Sequence, residues 1–369
     1  MSLRIATFNI ENLVNRFDFS GFRNNLRADR VIKLFDIKTE HDYKTLEAAR
    51  VIATTDDTRQ LSALAIADAD ADILCLQEVD SLEALKSFEY GYLFRMMGAG
   101  YRQHFLVEGN DSRGIDVAVL LRSETRHGEP IEVVDVHSHA ALTYQDLDLY
   151  DPELGDRVNP RDRVFKRDCL ELELRIGGRP LTVYVVHFKS MTSGRGEGDG
   201  RTQTMPIRIA EAKAVRQIIE KRFADRSPVN RNFVICGDMN DYQERVIVRG
   251  DRRHGYEFIH QDGLPSALDV FTDDGFAVNP MNTRDPLDRW TLYHARGPEE
   301  QHLCQLDYIL LSQHLAGRNV DVVPDIIRNG QPFRSVFPPG YETERYPRIG
   351  WDRPKASDHC PVVMELFLP

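Results

Sequence analysis

Nine short runs of Val, Ile, Leu and aromatic residues recur along the chain, and nothing else in the sequence constrains its fold as strongly. They are RIATFNI (4–10), ADILCLQEV (71–79), IDVAVLLR (115–122), PIEVVDV (130–136), CLELELRI (169–176), PLTVYVVHF (180–188), NFVICGDM (232–239), LDYILLS (306–312) and CPVVMELFL (360–368). Runs of this length and composition, bounded by turn formers, read as β-strands. Several are apolar almost throughout, which predicts strands covered on both faces. CLELELRI alternates plainly, which suits one wet face.

Helical signals are fewer. Asp57 stands three residues before Gln60 and resembles a capping box opening TRQLSALAIADA. Pro206 suits a first helical turn, followed by Ile207, Ala210, Ala214 and Ile218 at helical spacing. Strands and helices mixed in this way predict an α/β (α+β) chain with helices packed outside a large sheet or two stacked sheets. Three stretches, 12–45, 137–168 and 243–305, read as long inserted connections within a single domain spanning 1–369. Connections that long are expected to be functional or to carry structure of their own. SGRGEGDG (193–200) reads as the most flexible piece.

Composition narrows the classes. With 41% hydrophobic residues among 369 the chain can bury a sizeable core, and no apolar run approaches the roughly 20 residues a bilayer span needs. The first strand starts at Leu3, leaving no room for a leader, so a cytoplasmic location is expected. Five scattered cysteines without a CxxC pair read as small buried thiols rather than a zinc site. A net charge of −11 argues against nucleic-acid binding by bulk charge, although a local basic groove or a bound cation remains compatible with it.

Polar residues capable of chemistry cluster at the ends of the apolar runs. Asn9 ends the first, with Glu11 two residues on; Glu78 ends ILCLQE and His187 ends TVYVVH. Asp238 and Asn240 follow FVICG, Asp307 opens LDYILLS, and Asp358 and His359 precede CPVV. One such residue alone is a turn former or a solvated rim charge. The whole series, each member at a strand end, predicts groups delivered to one rim by rigid strands.

TFNIEN, LQEVD, VVHFKS, CGDMND, LDYIL and SDHCPV, in this order from residue 4 to 368, resemble the endonuclease/exonuclease/phosphatase superfamily, a DNase I-like group of phosphoesterases. The resemblance implies two stacked mixed β-sheets flanked by helices, a four-layer αββα sandwich, and a magnesium-dependent phosphoesterase with manganese as a substitute. By the same resemblance Glu78 is the main metal carboxylate, supported by Asn9 and Asp358, and Glu11 falls where some members keep a second acid. Asp238 and Asn240 match the pair that handles water and the phosphoryl oxygens. His359 matches the phosphate-facing imidazole held by Asp307, and His187 a second histidine.

The chemistry makes similar demands by itself. Water attacking a phosphate ester builds negative charge on non-bridging oxygens, so cations and donors are needed there. Magnesium prefers oxygen ligands, and the attacking water needs a base. Arg113 and Lys189 are placed by position as substrate contacts. The expected partner is a phosphate-ester substrate, whether small molecule, lipid head group or nucleic acid, with no protein partner evident. The alternatives are a nuclease working through a local basic groove and an inactive binding protein on the same scaffold. GRGEGDGRT (194–202) lacks the glycine spacing and lysine of a phosphate loop. VHSH, with His137 and His139, reads as a solvated loop pair, and Trp290 and Tyr293 read as core. The basic run from Arg157 to Arg167 reads equally as a charged loop or a phosphate contact.

Overall fold

Each apolar run is a strand, and in the central ones the side chains divide between two cores, as the two-residue period of a strand requires. The computed structural model describes residues 1–13, 36, 38–42, 56–111, 113–155, 158–192, 199–227, 231–295 and 301–369. In the first sheet are β1 (Ser2–Leu13), β2 (Ile73–Val79), β3 (Gln103–Leu106), β4 (Asp116–Leu121), β15 (Asp325–Ile326) and β16 (Val362–Phe367), in the order β15-β16-β1-β2-β4-β3. The second holds β5 (Ile131–Ser138), β6 (Cys169–Ile176), β7 (Arg179–His187), β8 (Phe233–Asp238), β11 (Ala277–Val278) and β14 (Asp307–Ser312), in the order β11-β14-β8-β7-β6-β5.

Ile5, Ile73, Cys75, Val117 and Val119 of the first sheet share one core with Val183, Val185, Val234, Cys236 and Ile309 of the second. Their immediate neighbours along the strands face outward. Ala6, Phe8, Leu74, Leu76, Ala118 and Leu120 pack with Leu61, Ala65 and Ile66 of helix α1 (Asp56–Ala69). Tyr184, Val186, Ile235 and Leu310 pack with Ala210, Ala214, Val215 and Ile218 of helix α2 (Gly200–Arg222). The order helix, sheet, sheet, helix is the expected αββα sandwich, and it explains why the central runs carry no polar face. Each fully buried Val, Leu or Ile contributes about 1.5–3 kcal/mol relative to exposure. All five cysteines are buried and free.

One difference from the sequence reading has a local cause, and one of its open expectations takes definite form. Helix α2 begins before Pro206, because Asp199 caps it by accepting from the backbone N–H groups of Arg201 and Thr202. The stretch 243–305 carries structure of its own, a third sheet of β9 (Arg245–Asp251), β10 (Gly255–Gln261), β12 (Leu292–Ala295) and β13 (Gln301–Cys304) in the order β10-β9-β13-β12. Trp290 is buried there beside Phe337, with ring centroids 5.2 Å apart. Most of 12–45 and the core of SGRGEGDG lie outside the described residues. Among the described residues no helix is long and apolar enough to cross a membrane.

Candidate active site

Strand register brings the scattered polar residues to one end of both sheets. β7 runs parallel to β8 with His187 opposite Asp238, and β14 runs antiparallel to β8 with Asp307 opposite Asp238. In the other sheet Asn9 of β1 lies opposite Gln77 of β2, and β16, next to β1, begins just after Asp358 and His359. The sheets meet where the Asn9 amide Nδ2 donates to Asp238 Oδ2 at 2.9 Å, across 229 positions of sequence. The same nitrogen lies 3.4 Å from Glu78 Oε1, and Asn9 Oδ1 accepts the Glu11 N–H at 3.1 Å.

Backbone irregularity aims these groups. Pairing of β2 with β4 slips between Gln77 and Val79, leaving Glu78 as a bulge residue with φ 66°. Opposite it, β1 slips between Asn9 and Leu13, with φ 53° at Glu11 and 62° at Asn12. Asn240 has φ 50°, and its N–H donates to Asp238 Oδ1 at 2.8 Å. Non-glycine residues in the left-handed region cost about 1–3 kcal/mol each and gather where a site demands an orientation.

Gly237 serves the site differently. A Cβ there would collide with the carbonyl oxygen of Val186, and its φ is 142°. Only glycine lets β8 approach β7 closely enough to set Asp238 beside His187. Gly237→Ala is therefore expected to lower stability by about 2–4 kcal/mol, from overpacking plus backbone strain. Urea denaturation of the variant, read against the wild type, measures this directly.

Asp238 Oδ2 is the meeting point. Besides Asn9, it has His187 Nε2 at 3.5 Å and His359 Nε2 at 3.8 Å. His359 Nδ1 is 2.8 Å from Asp307 Oδ2, which also accepts the Thr291 hydroxyl at 2.6 Å. Burial would push the His359 imidazole down, but Asp307 and then Asp238 outweigh it and hold it well above its usual range. His187 goes the other way: burial, then the charges of Arg167, His359 and Arg113, push it well below the usual range and keep it neutral. The Asp238 carboxyl is pushed up to about 7 by burial, with His359 opposing and Asp307 adding to the shift.

Glu78 and Asp358 form a second group. Burial and the Asp358 charge raise Glu78, against His359 and Arg113. Desolvation would raise half-buried Asp358 too, yet Lys355 and His359 bring its carboxyl below its usual range. Glu11 is raised by burial and by Asp358. Its carboxylate is engaged by Lys355 Nζ at 3.0 Å, by Arg353, and by the Asp358 N–H at 3.1 Å. Two sets of residues could hold a cation: the oxygen donors around Glu78 and Asp358, and Asp238, Asp307 and His359, whose ligand atoms lie within 4.8 Å of one another.

The positioned cations divide. Arg113, exposed at the rim, is bound to Asp111, and its charge reaches both Glu78 and His187. Lys189 spends its ammonium on its own loop, 2.9 Å from the Ser190 carbonyl and 3.1 Å from that of Thr192. Among the described residues of the basic run, Arg167 is the member drawn inside, 2.8 Å from Asp111 Oδ2 and 3.0 Å from the Phe188 carbonyl. His139 pairs with Glu171 at 2.9 Å and His137 with Asp135 at 3.2 Å, along the edge of the second sheet. Three supporting residues escaped the sequence reading. Thr291 braces Asp307; Ser357 donates to the Asn9 carbonyl at 2.7 Å; and buried Glu211 accepts the Lys166 and Lys189 N–H groups. None has a local signature, because each acts through a long-range contact.

A four-layer sandwich thus brings acids, amides and imidazoles together at one sheet end. The model of the Endonuclease/Exonuclease/phosphatase family matches residues 6–359, and the chain belongs to that family, whose members are hydrolytic phosphoesterases and nucleases. Truncated Caenorhabditis elegans TDP2 shares the fold at 13% identity, with a TM-score of 0.51 over 100% of this chain and 98% of that one. An endonuclease/exonuclease/phosphatase family protein from Bacteroides thetaiotaomicron matches at 14% identity, TM-score 0.51, over 99% and 95%. SmcL matches at 16% identity, TM-score 0.50, over 99% of each chain. A search of curated protein sequences returned no match.

Proposed function

We propose that the chain is a divalent-metal-dependent phosphoesterase that hydrolyses a phosphate ester by in-line attack of water. The observation carrying this reading is the convergence of Asn9, His187 and His359 on Asp238 Oδ2. Asp238 accepts the proton of the attacking water, a role suited to a carboxyl whose pKa lies near the working pH. Asn9 and the Asn240 N–H orient its two oxygens. His359, kept cationic by Asp307, faces the negative charge that grows on the non-bridging oxygens. Neutral His187, its Nε2 3.5 Å from Asp238, sits beside it without competing for charge.

Glu78 and Asp358, with the Asn9 amide, would hold the cation, and Glu11 would fix the Asp358 segment from its own pairing with Lys355 and Arg353. The donors fit magnesium or manganese: they are oxygens, and burial and the Asp358 charge make Glu78 costly to ionise until a cation offsets them. When bound, that cation supplies Lewis-acid charge at the phosphoryl group. Arg113 at the rim adds a contact for the substrate phosphate, and Lys189 would join it only by leaving the Ser190 and Thr192 carbonyls of its own loop.

Hydrolysis of bis-p-nitrophenyl phosphate with magnesium, and its loss in EDTA, tests the reading; turnover undiminished by EDTA would refute it. A pH profile adds an independent check. The general base works only when Asp238 is deprotonated, so kcat/KM is expected to fall as pH drops below about 7. His359 stays protonated well above its usual range, so the alkaline side stays flat through neutrality.

A further inference from the structure

Beside the site lies a surface patch that the proposed chemistry leaves unused. The chain has two tryptophans; Trp290 is buried, whereas Trp351 is 55% exposed. Arg252, at the turn joining β9 and β10, sets its guanidinium carbon 4.4 Å from the Trp351 ring centroid. Phe333, 46% exposed, has Arg345 5.0 Å from its own centroid. The two rings stand on adjacent extended segments, because the Phe333 and Arg334 N–H groups donate to the Gly350 and Trp351 carbonyls at 3.0 and 2.9 Å. Gly350 fixes the turn: a Cβ there would strike the carbonyl of Arg353.

The patch is cationic in a chain of net charge −11. Among the described residues neither Arg252 nor Arg345 has a carboxylate partner, and the two lie near enough that Arg252, after burial, helps lower Arg345 from its usual range. The patch also adjoins the site. Two residues past Trp351, Arg353 pairs with Glu11, whose other oxygen accepts the Asp358 N–H.

We infer that Trp351, Phe333 and Arg252, on a frame braced by Arg345, bind a single-stranded nucleic-acid segment flanking the scissile phosphate. Exposed rings offer faces for unstacked bases, and the Arg252 guanidinium beside Trp351 suits the backbone, while Arg345, donating to the carbonyls of Gln331, Pro332 and Ser335, braces the Phe333 side and adds its charge. A quaternary-ammonium head group fits badly, since uncompensated cations flank the rings and would repel it. A lipid surface calls for a broader apolar face than two rings set among arginines. The position beside a scissile phosphate rests on the phosphoesterase reading; binding of the strand does not.

The test is fluorescence anisotropy of a fluorescein-labelled oligothymidylate in EDTA, so that no turnover intervenes. Trp351→Ala is expected to weaken binding by roughly tenfold or more, Trp351→Phe to restore most of it, and Arg252→Ala to reduce the slope of log affinity against log salt by about one. Because Trp290 is buried, the oligonucleotide should quench an emission that Trp351→Phe removes. A wild type that does not bind, equal binding by Trp351→Ala, or Trp351-dependent binding to phosphatidylserine vesicles alone would overturn the inference. Wild-type hydrolysis of bis-p-nitrophenyl phosphate is scored separately: its absence sinks the phosphoesterase reading while anisotropy still decides this one.

Discussion

Replacing His359 by alanine is expected to lower kcat for bis-p-nitrophenyl phosphate by about 10³–10⁴-fold in a protein that still folds. The imidazole is buried, held by Asp307 at 2.8 Å, and points its other nitrogen toward Asp238. It is the cationic donor fixed where charge develops, and water filling its place cannot be held in one orientation. The substitution also leaves Asp307 buried with a lost partner, so stability should fall by about 1–3 kcal/mol, a loss that circular dichroism on heating would register. Asp307→Asn separates charge from position. Without its anion the imidazole titrates nearer the ordinary histidine range, so activity should decline as pH rises through neutrality, where the wild type stays flat. Near-normal turnover in purified His359→Ala would remove the histidine from the chemistry.

Glu78→Gln is expected to raise the magnesium concentration needed for half-maximal rate by more than about 100-fold, since losing an outer partner of a ligand alone costs about 10–100-fold. The glutamine keeps the shape and can still accept the Asn12 N–H that Glu78 Oε2 takes at 3.1 Å. What it removes is the charge, leaving Asp358 as the remaining carboxylate of that group. Thermal stability without metal should hold or rise, because a half-buried carboxyl raised by desolvation and by Asp358 no longer has to ionise. A rate and metal dependence matching the wild type would move the cation elsewhere.

Much of this was legible in the sequence because the rim residues sit at the ends of strands whose composition announces them. Each of the nine apolar runs is a strand, and the αββα layering follows from their two-faced hydrophobicity. Strand ends carried Asn9, Glu78, His187, Asp238 and Asp307, and register then set them side by side. Other features belong to tertiary structure and left no local trace. The bulge that turns Glu78 to φ 66° comes from a slip against β4, which the string LQEVD does not encode. Lys355 and Arg353 engage Glu11 from more than 340 positions away, and so change what that acid is free to do. The third sheet was missed because its hairpin RVIVRGDRRHGYEFIHQ breaks its alternation with a run of charges at the turn. Trp290 packs as expected, while Trp351, which the reading passed over, stands in the open.

Anomalous diffraction from a crystal soaked in manganese would decide most directly where the cation belongs. The proposed site predicts a peak within coordination distance of the Glu78 and Asp358 carboxylates, on the side of the Asn9 amide. A peak bound instead by Asp307 and His359, with Glu78 left bare, would contradict it.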